Sequence, residues 1–267
     1  DELFGGYASG YDVPRLERAL RQLAFLPAGV RALVGAAMGA RSSATARAKL
    51  VDMARTFRRG PEGVLSLYLH RRRLLNDEAL RACGLDARAL GLDENYLGPE
   101  STAGATRDQD TEDVAAAVSR HESRFYMRNM LLRDSDTNGM AHSLEIRVPL
   151  LDTRLMDLAY RVQGVRVPVG VANKHLLRAA FPELLRPEIA AQSKRGFGLP
   201  IRRWMIGPLR DLCEGAIDVS AGLGVLRAEG VRETWRAFLA EPEGPQGTRA
   251  CVLCGLGVYW RQACSAA

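Results

Sequence analysis

Lysine is almost missing from this sequence. Only Lys49, Lys174 and Lys194 occur in 267 residues, against 37 lysines and arginines together. The planar guanidinium therefore carries nearly all the positive charge, and a compact ammonium is kept at three places. Cysteine is also scarce, and its count of five is odd, which argues against a disulfide framework and for reduced thiols. Cys251 and Cys254 have metal-like spacing, yet no second pair completes a tetrahedral set. They fall in an apolar stretch, RACVLCGLGVYWRQAC, where small buried hydrophobes in a helix are expected and zinc is not. Aromatic residues make up 6% and do not interleave with the basic ones. The net charge of +6 and the pI near 9.3 thus read as a mixed-sign solvated surface, with no nucleic-acid partner. No run approaches the roughly 20 apolar residues that span a bilayer, and no basic-then-apolar leader pattern opens the chain. The expectation is a cytoplasmic protein without a membrane partner.

Helical periodicity dominates what is present. VPRLERALRQLAFL places Leu16, Leu20, Leu23 and Leu26 on one face, with Pro14 suited to a first turn. PAGVRALVGAAMGA, SATARAKLVDMARTF and GPEGVLSLYLHRRRLL read as further helices between Gly, Pro and Ser breaks. The polar segment at about 98–111 is expected to be a flexible loop, with Thr111 capping the helix that starts near Val114. That helix is long and amphipathic, and the polar DSDTNG is expected to end it. Beyond it, LLDTRLMDLAYRV, NKHLLRAAF, IRRWMIGPLRDLCE, RETWRAFLAE and the carboxy-terminal segment are helical in pattern, and GVRVPVG is the one strand-like piece. The predicted class is mainly α, and helices this short usually need a larger body to bury against.

Three stretches are polar where packing alone does not require it. In DELFGG, Asp1 and Glu2 precede a glycine-rich turn; such carboxylates hold magnesium beside phosphates, or complement a helix amino terminus. In LLRDSDTNGMAHSLEIRVPLLD, the residues Asp134, Asp136, Glu145, Arg147 and Asp152 are dense enough to suggest a partly buried ion-pair network beside an apolar VPLL. Such a network is either structural or sets acid and base strengths at a site. His142 in the same stretch reads as a packed helix residue and not a general base. In AAQSKRGFGLPIRRW, Lys194 and Arg195 lead into a glycine-flanked phenylalanine. A loop of this kind closes over phosphate charge, or is a cationic surface loop.

Taken in order, these stretches resemble the synthetase domain of the glutamine-dependent asparagine synthetases. DELFGGY is similar to the end of that family's S-G-acid-G-x-D-E-x-F-G-G-Y motif. RDSDTNGMAHSLEIRVPLLD resembles its second signature, and KHLLRAAFPELLRPEIAAQSKRGFGLPIRRWM its third. The resemblance implies a chemistry in which ATP and magnesium activate a side-chain carboxylate, that of aspartate, as an acyl-adenylate. Ammonia released from glutamine then displaces AMP to form the amide. A carboxylate is a poor electrophile, so the site must supply a leaving group, neutralise pyrophosphate and exclude water. By position, Asp1 corresponds to a magnesium ligand near the pyrophosphate, with Glu2 its neighbour in the same turn and counted among the catalytic residues. Lys194 would meet the phosphates and the charge developing in adenylation, with Arg195 next to it. Asp136 corresponds to an acid near the ammonia, Lys174 to nucleotide support, and Glu145 with Arg147 to a structural ion pair.

The same resemblance implies that residues 1–267 are the carboxy-terminal, helical part of an α/β synthetase domain of the adenine-nucleotide hydrolase-like, PP-loop ATP pyrophosphatase class. The phosphate-binding S-G-G-x-D-S loop, a backbone cradle for pyrophosphate, is not found in the sequence, nor is a glutaminase cysteine at the amino terminus. A chain opening on DELFGGY is expected to begin in the middle of a site and to be inactive by itself. The missing partners would be the glutaminase and nucleotide-loop regions of the same protein, and a homodimer is possible. Asn138-Gly139 departs from the family's usual Met-Ser. Two alternatives stand beside this reading: a related enzyme that amidates another carboxylate or closes a lactam, and a helical interaction module with no catalysis.

Overall fold

A computed structural model describes residues 2–7, 9–40, 64–75, 77–86, 89–92, 113–162, 174–184, 188 and 198–265. In chain order the helices are α1 (Ser9–Gln22), α2 (Ala28–Ala40), α3 (Val64–Arg72), α4 (Asp77–Ala82) and α5 (Val114–His121). A π-helical segment (Glu122–Leu131) and α6 (Leu132–Met140) continue α5. Then come α7 (Thr153–Val162), α8 (His175–Ala180), α9 (Ile201–Ile206), α10 (Arg210–Gly222), α11 (Ala228–Ala240) and α12 (Gln246–Ser265). Among the described residues the regular structure is helical, as the periodicity predicts. The strand-like GVRVPVG and the expected loop at 98–111 lie outside them.

The chain divides into two compact units. The first takes Asp1–Leu26, Arg59–Arg71 and Glu100–Gly196. Here α1 starts five residues ahead of Pro14, so the proline sits inside the helix and not in its first turn. Its buried line is Val13, Glu17 and Leu20, at i, i+4 and i+7, with Leu16, Leu23 and Leu26 only half-buried. In α3, Leu65, Leu67 and Tyr68 are buried. Asp113 caps α5, its Oδ1 accepting from the Ala115 N–H at 3.3 Å. The expected cap, Thr111, lies outside the described residues.

The long helix does not stop at DSDTNG; it runs through these residues to Met140. Asn138 Nδ2 donates to the Asp134 carbonyl at 2.8 Å, which holds the polar stretch helical. The helix then closes with paired bonds, Leu144 N–H to Gly139 O at 2.9 Å and Ser143 N–H to Met140 O at 3.0 Å. Ser143 takes the left-handed position that closure requires, with φ 57°. Gly139 allows the chain to fold back, because a Cβ there would lie 2.8 Å from the Leu144 carbonyl oxygen. The glycine of Asn138-Gly139 is thus needed by the turn that follows it.

The second unit takes Pro27–Arg58, Arg72–Pro99 and Phe197–Ala267. The same closure ends α4, with Leu85 N–H to Leu80 O at 2.9 Å, and there glycine does fill the left-handed position, Gly84 at φ 80°. Arg227 N–H then donates to the Cys83 carbonyl at 2.8 Å, pinning the end of α4 to the start of α11. The core lies between α10, α11 and α12, built from Cys213, Ala216, Ile217, Val231, Trp235, Phe238 and Leu253 with their neighbours. Phe238 is fully buried and contributes about 2–3 kcal/mol by that burial. Helices α10 and α12 approach so closely at Gly257 that a Cβ would lie 1.9 Å from the Ala216 carbonyl oxygen. Ser220 closes the same interface by donating to the Leu253 carbonyl at 2.7 Å.

Candidate functional site

The amino-terminal turn of the first unit packs on α5 and the π-helical segment through hydroxyls and carboxylates. Tyr7 donates its phenolic hydrogen to Glu2 Oε1 at 2.9 Å. Burial, and next the accepting Glu2 carboxylate, push the Tyr7 hydroxyl well above the ordinary tyrosine range, so it stays protonated and donating. Ser119 of α5 donates to the Glu2 carbonyl oxygen. One turn further on, Glu122 is buried and accepts from Ser9 at Oε1 and from the Tyr68 hydroxyl at Oε2, the latter at 3.2 Å. The Tyr126 ring meets that of Tyr7 edge-on, with centroids 5.6 Å apart. Tyr68, His121 and Phe125 pack behind, with Tyr68 to His121 at 5.6 Å and Tyr68 to Phe125 at 6.3 Å. On the outside, Arg71 Nη2 donates to Asp12 Oδ2 at 2.7 Å, an exposed α1–α3 pair of small energetic weight.

Of the residues singled out in the sequence, the structure brings Glu2 into this cluster. Asp1, Lys194 and Arg195 lie outside the described residues. Lys174 stands half-exposed ahead of α8 in the left-handed conformation, φ 61°. Asp136 is exposed on α6 and makes no hydrogen bond or ion pair with the described Glu2 cluster.

The expected partly buried network around Glu145 is corrected. Arg147 Nε does lie 3.0 Å from Glu145 Oε1, but the two side chains are 83% and 72% exposed. Residues 144–148 form no helix or strand and are exposed, so this pair meets in solvent. Asp152 caps α7, Oδ1 accepting from Arg154 N–H at 2.9 Å. The VPLL side chains Val148 and Leu150 are exposed, not packed beside the acids. His142 is exposed in the turn after α6, because that helix ends in the closure at Ser143.

The whole-chain comparison now decides the kinship. The family model described as asparagine synthase matches residues 1–254. This chain belongs to the asparagine synthase family. Within it, a Mycobacterium tuberculosis protein provisionally named a glutamine-hydrolyzing asparagine synthetase is 26% identical over 205 residues, covering 77% of this chain and 29% of that protein. Asparagine synthetase 1 of Bacillus subtilis is 32% identical over 95 residues, 36% of this chain and 15% of that protein. The Bos taurus asparagine synthetase is 31% identical over 112 residues, 39% of this chain and 20% of that protein. The chain therefore spans less than a third of the length of these family members. No solved structure matches it.

Glu122, Ser9, Tyr68 and Ser119 escaped the reading by motif. A signal for Glu122 was present: it follows the apolar run VAAAV and shares a helical line with Ser119 and Tyr126, so a carboxylate falls on a face that must be buried. The helix that carries Cys251 and Cys254 and the burial of Cys254 agree with the sequence reading, while Cys251 is half-buried. No helix of the described residues is long and apolar enough to cross a membrane.

Proposed function

We propose that this chain is part of an ATP-dependent ligase that converts aspartate to asparagine, with nitrogen from glutamine and release of AMP and pyrophosphate. The observation that carries this is the family match over residues 1–254 together with a Glu2 carboxylate built into a hydroxyl-lined turn. Adenylation turns the carboxylate oxygen into a leaving group, and ammonia then attacks the acyl carbon as AMP departs. Magnesium takes one or two carboxylates plus phosphate oxygens and water, and the acid pair Asp1–Glu2 fits that donor set. Bound there, the ion neutralises polyphosphate charge.

The chain's own groups divide the remaining work. Asp1 and Glu2 would hold the ion, and Tyr7 orients the Glu2 carboxylate by its hydrogen bond. Lys194 and Arg195 meet the phosphates as charge develops on the departing pyrophosphate, with Lys174 supporting the nucleotide. Asp136 receives the ammonia side of the reaction. The intact domain completes the site with a parallel sheet and its phosphate loop, a glutaminase domain supplies ammonia, and the protein works in the cytoplasm, with a homodimer as its assembly.

The test uses the protein expressed from its native gene, supplied with ATP, magnesium, glutamine or ammonium, and one carboxylate at a time. AMP release that depends on aspartate is the expected result. Release with a different acid moves the assignment to that substrate, and no release with any carboxylate overturns it. The 267-residue chain by itself, having no S-G-G-x-D-S sequence, is expected to form no AMP.

A further inference from the structure

Three residues of one helical line reach the amino-terminal segment. Ser119, Glu122 and Tyr126 stand at i, i+3 and i+7, and they contact Glu2, Ser9 and Tyr7 respectively. The middle one is a carboxylate at 3% exposure. Burying a carboxylate is costly unless donors replace its water, and a purely structural contact is made as well by an amide or an apolar group. Here two hydroxyls from different elements meet on it, Ser9 at the start of α1 and Tyr68 of α3. Hydrogen bonds to a charged acceptor are about twice as strong as neutral ones and more strongly directional. The carboxylate thus ties α1, α3 and the π-helical segment just past the point where the Glu2–Tyr7 turn ends.

We infer that Glu122 is a positioning residue for nucleotide binding: it fixes the turn so that the Glu2 carboxylate is held toward magnesium and the polyphosphate. Ser119, on the Glu2 carbonyl, and Tyr7, on the Glu2 carboxylate, transmit the same restraint. This rests on the ligase reading given above. Glu122 itself touches neither substrate nor metal in this scheme. Its removal leaves the ligating groups in place but lets the turn move, and a misplacement of about 1 Å is enough to cost up to a hundredfold in a positioned site.

The experiment measures the affinity of the native-gene protein for magnesium–ATP by isothermal titration calorimetry, without carboxylate so that no turnover occurs. Glu122→Gln is expected to weaken binding about tenfold, equivalent to one decade in Kd. Ser9→Ala and Tyr68→Phe each weaken it less, and Glu122→Asp, one methylene shorter, falls between Glu122→Gln and the wild type. Ser220→Ala removes a buried hydroxyl of the other unit and serves as the stability control; it lowers the melting temperature and leaves Kd unchanged. Unchanged Kd in Glu122→Gln and Ser9→Ala overturns the inference, as does an equal weakening by Ser220→Ala. If Glu122→Gln does not fold, Ser9→Ala and Tyr68→Phe decide by the same measurement. A wild-type protein that binds magnesium–ATP yet releases AMP with no carboxylate defeats the ligase reading alone. One that does not bind magnesium–ATP defeats both.

Discussion

Ser9 donates a hydrogen bond to Oε1 of Glu122 across 113 positions of sequence, and both side chains are buried. The carboxylate cannot turn to water if this donor is lost. Ser9→Ala is therefore expected to lower stability by about 1–3 kcal/mol, the cost of under-satisfying a buried charged acceptor. Urea denaturation followed by circular dichroism measures this. A change below about 0.5 kcal/mol, the range of an ordinary surface substitution, would show that the hydrogen bond carries no weight in the fold.

Two glycines two residues apart in α12 should respond in opposite directions. A Cβ at Gly257 would lie 1.9 Å from the Ala216 carbonyl oxygen, whereas at Gly255 nothing stands within 4 Å. Gly257→Ala forces α10 and α12 apart and should destabilise by about 1–3 kcal/mol. Gly255→Ala gains helix propensity and should stabilise by about 0.5–1 kcal/mol. Thermal melts of the two variants side by side provide the check, and equal signs would contradict the helix crossing.

Thiol labelling distinguishes the core from the surface. Cys83, Cys213 and Cys254 are buried, and burial raises all three above the usual thiol range, while Cys264 is exposed. Raising a thiol's pKa lowers its thiolate fraction at neutral pH, and the thiolate is the reactive form. A maleimide or disulfide reagent at pH 7 should therefore modify Cys264 fast and these three only after unfolding. Rapid native modification of Cys254 would place it outside the core.

Tyr7 gives the first unit an alkaline limit. Its hydroxyl titrates from an ordinary value of 10.0 in the unfolded chain and from a higher value when folded. A raised folded value means the folded state holds the proton more tightly. That contribution is complete below pH 10.0, and it is lost progressively as pH rises from there toward the folded value. Melting temperature should fall more steeply above this pH in the wild type than in Tyr7→Phe. Parallel pH curves for the two would remove Tyr7 from the linkage.

The helices of this chain were legible because their signals are local. Apolar spacing located α1, α2, α3 and α12, and the ordered motifs DELFGGY, RDSDTNGMAHSLEIRVPLLD and SKRGFGLP pointed to the family that the comparison established. Helix ends were harder. Asp113 caps α5 in the described structure, and DSDTNG continues a helix because Asn138 bonds back to Asp134 and the closure falls at Ser143. Charge density misled at Glu145 and Arg147, where composition cannot tell a solvated pair from a buried one.

By itself the sequence determined helical class and family kinship, because periodicity and motif are written in near neighbours. Tertiary structure alone decided that Glu122 accepts from Ser9 and Tyr68, that Glu145 and Arg147 meet in solvent, and that Gly257 faces the Ala216 carbonyl. Each of these depends on which surfaces of distant segments come together, and burial, which sets the energy of a charge or a missing side chain, exists only once they have done so.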